Sequence, residues 1–154
     1  TALDVTTQAQ ILDLLARLQA ELGMALLLIS HDLGVVSEVC SVVAVMYAGQ
    51  IVEQAGGHEL FRTPRHPYTA GLLSAVPRLH GGVERLREIP GRVPRLDEMP
   101  SGCRFADRCS RVTSLCRQQA PELRSIDNRP FDLPLAHLVR CHHPIDEHGS
   151  GACA

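Results

Sequence analysis

The sequence predicts an α/β fold, and three observations carry that reading. A helical period precedes an apolar run, a second apolar run follows shortly after, and a glycine-containing turn then returns the chain on itself. Ile11, Leu15, Leu18 and Leu22 recur at spacings of four, three and four, which is one face of an α-helix. Asp4 or Thr7 can cap its start, since Thr7 and Gln10 have capping-box spacing. Gly23 stands just past its end, where a left-handed residue is expected. Met24–Ile29 is an unbroken apolar run that reads as a central parallel strand, and it stops at Ser30-His31-Asp32. In open α/β sheets ligands bind outside the carboxyl ends of such strands, which puts His31 where a sheet presents a side chain to a ligand. A loop hydrogen bond is the plainer use of the same histidine. A short helix over Leu33–Val39 follows, then a strand over Val42–Met46, a tight turn at Ala48-Gly49 and a returning strand over Ile51-Val52-Glu53.

Composition narrows the classes of function. The chain has 154 residues, enough for one domain or one and a part with a buried core. A net charge of −2 and 3% aromatic residues give no basis for a nucleic-acid-binding surface. All fifteen basic residues are arginine, so the chain holds no phosphate-loop lysine, and no G-x-x-x-x-G-K-[ST] pattern occurs in it. No apolar stretch approaches bilayer length, and no basic-then-apolar signal peptide opens the sequence. A start at Thr1 without methionine reads as a processed chain or a fragment.

Motifs then bring a family into view. Thr1-Ala2-Leu3-Asp4-Val5-Thr6 resembles the D-loop of ABC-type ATPases, and Leu28-Ile29-Ser30-His31-Asp32 resembles their switch-histidine motif. One helix and one strand separate the two, as in that fold, and Met46–Glu53 resembles the hairpin that follows. The resemblance implies a partial P-loop NTPase domain lacking its N-terminal part. It gives His31 a hydrogen bond to the ATP γ-phosphate and Asp4 a place at the interface of a nucleotide-sandwich dimer. A plain helix N-cap is the alternative for Asp4, and both roles can hold together. In the family the Walker A loop, signature motif and Walker B strand precede the D-loop. The fragment alone is therefore expected not to hydrolyse ATP and to expose a raw sheet edge.

The second half resembles a narrower group. Leu60–Thr69, with His66-Pro67-Tyr68 at its centre, is similar to the His-Pro-Tyr signature opening the C-terminal extension of oligopeptide and dipeptide importer ATPases. Ala70–Pro77 and the Ile89-Pro90-Gly91-Arg92-Val93-Pro94 stretch continue the match. Locally, Pro67 can open a helix that Pro77 ends, with Tyr68, Leu72 and Leu73 packing it, so His66 and Tyr68 read as structural residues. Beyond the break that His80-Gly81-Gly82 predicts, the extension reads as small and irregular.

Four cysteines follow: Cys103, Cys109, Cys116 and Cys141. Four thiolates suit either tetrahedral zinc or an iron–sulfur cluster. Their spacing matches neither a zinc ribbon nor the common ferredoxin run, and unliganded thiols are the third reading. Pro100–Cys109 and Val139–His142 resemble the cysteine motif of these importers, some of which carry a 4Fe–4S cluster there. Arg104, Arg108, Arg111 and Arg140 beside the thiols either offset cluster charge or form a solvated surface. Cys40 reads as a small core residue, Cys153 as part of a terminal tail, and His142, His143 and His148 as tail residues able to scavenge metal. His58, His80 and His137 carry no argument from sequence.

The resemblance thus implies residues 1–62 as the end of an ABC ATPase domain, 63–144 as the importer extension, and 145–154 as a disordered tail. It implies ATP with Mg²⁺ in the intact subunit, a second ATP-binding subunit (homo- or heterodimer), two membrane permease subunits and an extracytoplasmic peptide-binding protein. It also implies a peripheral position on the cytoplasmic face of the plasma (inner) membrane, and coupling of ATP hydrolysis to peptide import. The other reading of the chain is a stand-alone iron–sulfur or zinc-binding module left by truncation.

Overall fold

Asp4 starts the first helix, α1 (Val5–Leu22), in the computed structural model, which describes residues 4–75, 88–127, 129 and 136–146. Its carboxylate accepts from the Thr7 amide at 2.9 Å and the Thr7 hydroxyl at 2.8 Å. Asp4, not Thr7, is therefore the cap. These bonds, the amide first, hold the Asp4 carboxyl below its ordinary pKa. Gly23 ends the helix in the left-handed region (φ 64°), its N–H donating to the Gln19 carbonyl. The chain divides into two units, Thr1–Cys40 and Ser41–Ala154.

In the first unit, residues 24–30 form no strand. Their burial alternates as in extended chain, with Leu26 and Leu28 half-covered and Leu27 and Ile29 about 90% exposed. A parallel strand needs hydrogen-bonded neighbours and helices on both faces. No described residue pairs with this segment, so the apolar run lacks the partners that would make it the expected central strand. Asp32 then caps α2 (Leu33–Val39), accepting from the Gly34 and Val35 amides, and Val36 is buried.

The second unit is built on an antiparallel sheet. β1 (Val42–Tyr47) and β2 (Gln50–Gly56) form a hairpin across Ala48 and Gly49, both at positive φ (46° and 76°), the requirement of a tight primed turn. Register slips between Val45 and Met46: Val45 faces Glu53 while Met46 faces Ile51, so Val52 is the extra residue of a β-bulge. The bulge suspends the two-residue alternation, and Val52 and Glu53 are both buried. β2 also pairs with β4 (Leu138–Val139), which pairs with β3 (Arg124–Ser125), giving the order β1-β2-β4-β3. The hairpin and the four-cysteine segment thus share one sheet. α3 (Gly57–Arg62) and α4 (Pro67–Ser74) follow β2, and Pro67 opens α4 as expected, while Pro77 lies outside the described residues. α5 (Ser114–Gln118) completes the unit. Among the described residues no helix is long and apolar enough to cross a membrane.

Glu53 ties these elements together. Its fully buried carboxylate accepts from the Arg65 amide at 2.6 Å, the His66 amide at 2.9 Å and His137 Nε2 at 2.7 Å. His137 Nδ1 lies 3.3 Å from Glu59. Burial alone lowers the His137 pKa, but hydrogen bonds and charge from Glu53 and Glu59 carry it above the usual 6.5. Burial takes His66 the other way, down to about 4 against the pull of Glu53.

The signs give opposite limbs of a pH–stability curve. Stabilisation by His137 is complete below pH 6.5 and is lost as pH rises through its raised folded pKa. His66 is neutral in the fold, so stability falls as pH drops from 6.5 toward 4, by roughly 3 kcal/mol in all. Urea unfolding across this range is expected to show a maximum near neutrality. Glu53→Ala is expected to cost roughly 3–5 kcal/mol, the penalty for stranding a buried partner, and to erase the alkaline limb.

Candidate functional site

Cys103, Cys109, Cys116 and Cys141 line one small cavity together with His66, Phe105, Arg111 and His143. Local structure explains how residues so far apart in sequence meet. The Cys103 amide donates to the Cys116 carbonyl at 2.7 Å, which fastens the loop before residue 103 to α5. This approach depends on Gly102, where a Cβ would stand 2.4 Å from the Cys116 carbonyl oxygen and 2.6 Å from that of Arg117. A turn at Ala106–Arg108 then delivers Cys109. Cys141 comes from the chain leaving β4, held by Arg140, whose amide donates to the Val52 carbonyl at 2.8 Å and whose Nε donates to the Ile51 carbonyl at 2.9 Å. The bulge in β2 thus anchors one edge of the cavity.

Phe105, which lines the cavity, belongs to an aromatic cluster. Tyr47, Tyr68 and Phe105 pack with ring centroids 4.7–5.5 Å apart, and the His66 ring lies 5.7 Å from Phe105. His66 Nδ1 accepts the Tyr68 amide at 3.0 Å, so it caps α4. Arg104 reaches out of the cysteine loop to the Ala48 carbonyl at 2.5 Å, and Arg108 bonds the Ile89 and Pro90 carbonyls. These two arginines, expected to face the thiols or solvent, instead pin backbone carbonyls. Arg111 is the arginine that lines the cavity.

The sulfurs sit among donors. The Arg111 amide donates to Cys109 Sγ at 3.4 Å and the His143 amide to Cys141 Sγ at 3.3 Å, while Thr113 Oγ1 lies 3.3 Å from Cys116 Sγ. Burial raises the pKa of Cys103 and Cys109, and pushes Cys141 up to about 11, with the neighbouring thiols adding to the effect. No group of three or more His, Cys, Asp or Glu among the described residues is placed to hold a metal ion. The four thiols share a cavity without sharing a single point of ligation.

The other expected residues lie in the first unit. Asp4 is the exposed cap of α1, and His31 is exposed between Ser30 and the α2 cap, Asp32. Ser30 Oγ accepts the Asp32 amide at 3.0 Å, which turns the chain at His31. Cys40 is half-buried at the end of α2, and Cys153, His80 and His148 fall outside the described residues. Sequence reasoning missed Glu53, Gly102, Thr113 and His137. A lone acidic residue inside an apolar strand was the available signal for Glu53.

Residues 52–116 match the family model described as the oligopeptide/dipeptide transporter, C-terminal region. These residues belong to the C-terminal region of the oligopeptide/dipeptide transporter family. It is 45% identical over 149 residues to the dipeptide transport ATP-binding protein DppD of Escherichia coli, an alignment covering 97% of this chain and 43% of that protein. DppD of Haemophilus influenzae is similar at 45% over 150 residues. A Brucella ovis protein whose name describes peptide import and ATP binding is 53% identical over 133 residues, covering 82% of this chain and 39% of the relative. The chain spans about two fifths of the length of these curated relatives. Within this matched region the His-Pro-Tyr signature forms part of the cysteine cavity's wall, through His66 and Pro67.

Gly102→Ala is expected to force the Cys103 loop off α5, because the obstructing atoms are backbone. Its cost should reach or exceed the roughly 1–3 kcal/mol typical of overpacking, read as a lower urea midpoint.

Proposed function

We propose that the chain is the C-terminal part of the ATP-binding subunit of a peptide-importing ABC transporter. Similarity to dipeptide transport ATP-binding proteins along almost the whole chain carries this reading. Residues 1–62 then end the ATPase domain and 63–144 form the extension. The subunit would pair with a second ATP-binding subunit on two membrane permeases, at the cytoplasmic face of the membrane, fed by an extracytoplasmic peptide-binding protein. No phosphate loop occurs in these 154 residues, so the chain alone does not hydrolyse ATP, and ATP with Mg²⁺ is held by the rest of the subunit.

The chemistry asked of this segment is modest. Phosphoryl transfer is mostly positioning and stabilisation of charge on the γ-phosphate oxygens. His31, exposed at the end of its apolar run, is suited to donate to those oxygens and orient the attacking water. A charge-assisted bond of that kind is worth roughly 1.5–3 kcal/mol. Asp4 would face the partner subunit while capping α1. In a subunit of the relatives' full length, His31→Ala is expected to lower ATP turnover by about 100-fold or more and to leave nucleotide affinity nearly unchanged. Equal loss of both, measured side by side, refutes the γ-phosphate role.

We also infer that Cys103, Cys109, Cys116 and Cys141 hold a 4Fe–4S cluster. The donor set supports this: among the described residues four thiols and no carboxylate line the cavity, and three of the sulfurs have N–H or O–H groups within hydrogen-bonding distance. A single zinc ion draws its ligands to about 2.3 Å from one centre, whereas each iron of a cluster takes one thiolate. When bound, such a cluster supplies one-electron chemistry. Anaerobic reconstitution with ferrous iron and sulfide is expected to give a brown protein with the charge-transfer absorption of thiolate-bound iron–sulfur centres, with Cys116→Ala losing most of the iron. Preferential zinc uptake would instead favour a zinc-binding module, a reading that the separate Ser41–Ala154 unit keeps open.

A further inference from the structure

Thr113 occupies the N-cap position of α5, and its side chain makes no capping bond. Threonine there ordinarily bonds an amide of the first helical turn, a contact worth about 1 kcal/mol. Here the hydroxyl is turned elsewhere: Oγ1 lies 3.3 Å from Cys116 Sγ and 3.1 Å from His143 Nε2. A five-residue helix, which gains little from its own hydrogen bonds, therefore forgoes its cap. Local rules broken in this way cluster where side chains are committed to another task.

The chemistry of the three groups fixes the direction of the chain. A ligating cysteine is a thiolate and can only accept. Thr113 must then donate its one hydroxyl proton to Cys116, and its oxygen lone pair accepts from His143 Nε2. The relay runs from His143 Nε2–H to Thr113 Oγ1 and from Thr113 O–H to Cys116 Sγ, each bond polarising the next. The His143 amide also donates to Cys141 Sγ at 3.3 Å, so one residue braces two of the four sulfurs.

We propose that Thr113 is a positioning residue of the four-thiol centre, which holds Cys116 by an O–H···S hydrogen bond and raises the reduction potential of the cluster bound there. The inference rests on the iron–sulfur reading above. Hydrogen bonds to cluster sulfurs stabilise the added electron of the reduced state, so losing one makes the potential more negative. No proton is transferred. Thr113 holds a bond whose strength differs between the two redox states.

The test uses the full chain reconstituted anaerobically with ferrous iron and sulfide, compared as wild type, Thr113→Val and Thr113→Ser. Valine keeps the branched shape and removes the hydroxyl; serine keeps the hydroxyl. Potentiometric titration is expected to place the valine variant at a more negative midpoint, with serine at the wild-type value and iron content equal in all three. The urea midpoint of the valine variant is expected to stay near wild type, since no capping bond is lost, whereas a purely capping role would lower it. An unchanged midpoint potential for valine, or an equal shift for serine, overturns the proposal. If the valine variant does not fold, Thr113→Ala is judged by the same criteria. If the wild-type protein takes up no iron, the iron–sulfur reading itself fails and this proposal fails with it, an outcome distinct from a loaded protein with unmoved potential.

Discussion

The Glu53 carboxylate is the contact on which the second unit depends. A buried charge is costly unless its lone pairs are filled, and Glu53 fills them with two backbone amides and one imidazole. Those donors come from the start of α4 and from the residue preceding β4. One side chain therefore fixes where α4 begins relative to the hairpin and where the returning chain enters the sheet. Because Cys141 follows β4 by two residues, and His66 lines the cysteine cavity, the same contact sets two walls of that cavity. Apolar packing at position 53 would bury as much surface but specify none of these directions.

The bulge at Val52 makes that arrangement possible. Regular alternation would send either Val52 or Glu53 to the opposite face of the sheet. With one residue inserted, both enter the interior, and the Val52 carbonyl, displaced from the β1 ladder, accepts the Arg140 amide. Arg140 adds its guanidinium to the Ile51 and Pro121 carbonyls. The irregularity in the strand thus becomes the attachment point for the segment that carries Cys141. Tyr47, one residue beyond the slipped register, packs its ring against Tyr68 and Phe105.

How much of this was legible in the sequence follows the range of the interactions. The α1 and α2 spans, the hairpin turn and the proline that opens α4 are set by neighbours within a few residues, and periodicity and capping chemistry identify them. The segment 24–30 misleads because an apolar run reports a readiness to be buried, while a strand also requires partners that periodicity cannot supply. Glu53 and His137 were opaque for the opposite reason. Their meaning lies in a contact across 84 residues of sequence, and His137 alone gives no sign of it. The four cysteines were visible as a set. Their convergence depends on Gly102 and on the β2–β4 pairing, neither of which cysteine spacing encodes.

The His-Pro-Tyr signature gains a physical explanation from the same contacts. Pro67 at the first helical position has no amide to satisfy, so the first amide in need of a partner is that of Tyr68. His66 provides it through Nδ1, a role open only to a neutral ring, because a protonated imidazole has no acceptor. Burial, which takes the His66 pKa down to about 4, keeps the ring in that form at neutral pH. Its own amide meanwhile goes to Glu53, and Tyr68 packs its ring against Tyr47 and Phe105. Asparagine could cap the helix but would leave the space beside Phe105 unfilled, and phenylalanine could fill that space but would leave the Tyr68 amide unpaired. Histidine satisfies both demands at once, which makes this triplet a structural hinge-pin of the cysteine cavity and not a reacting group.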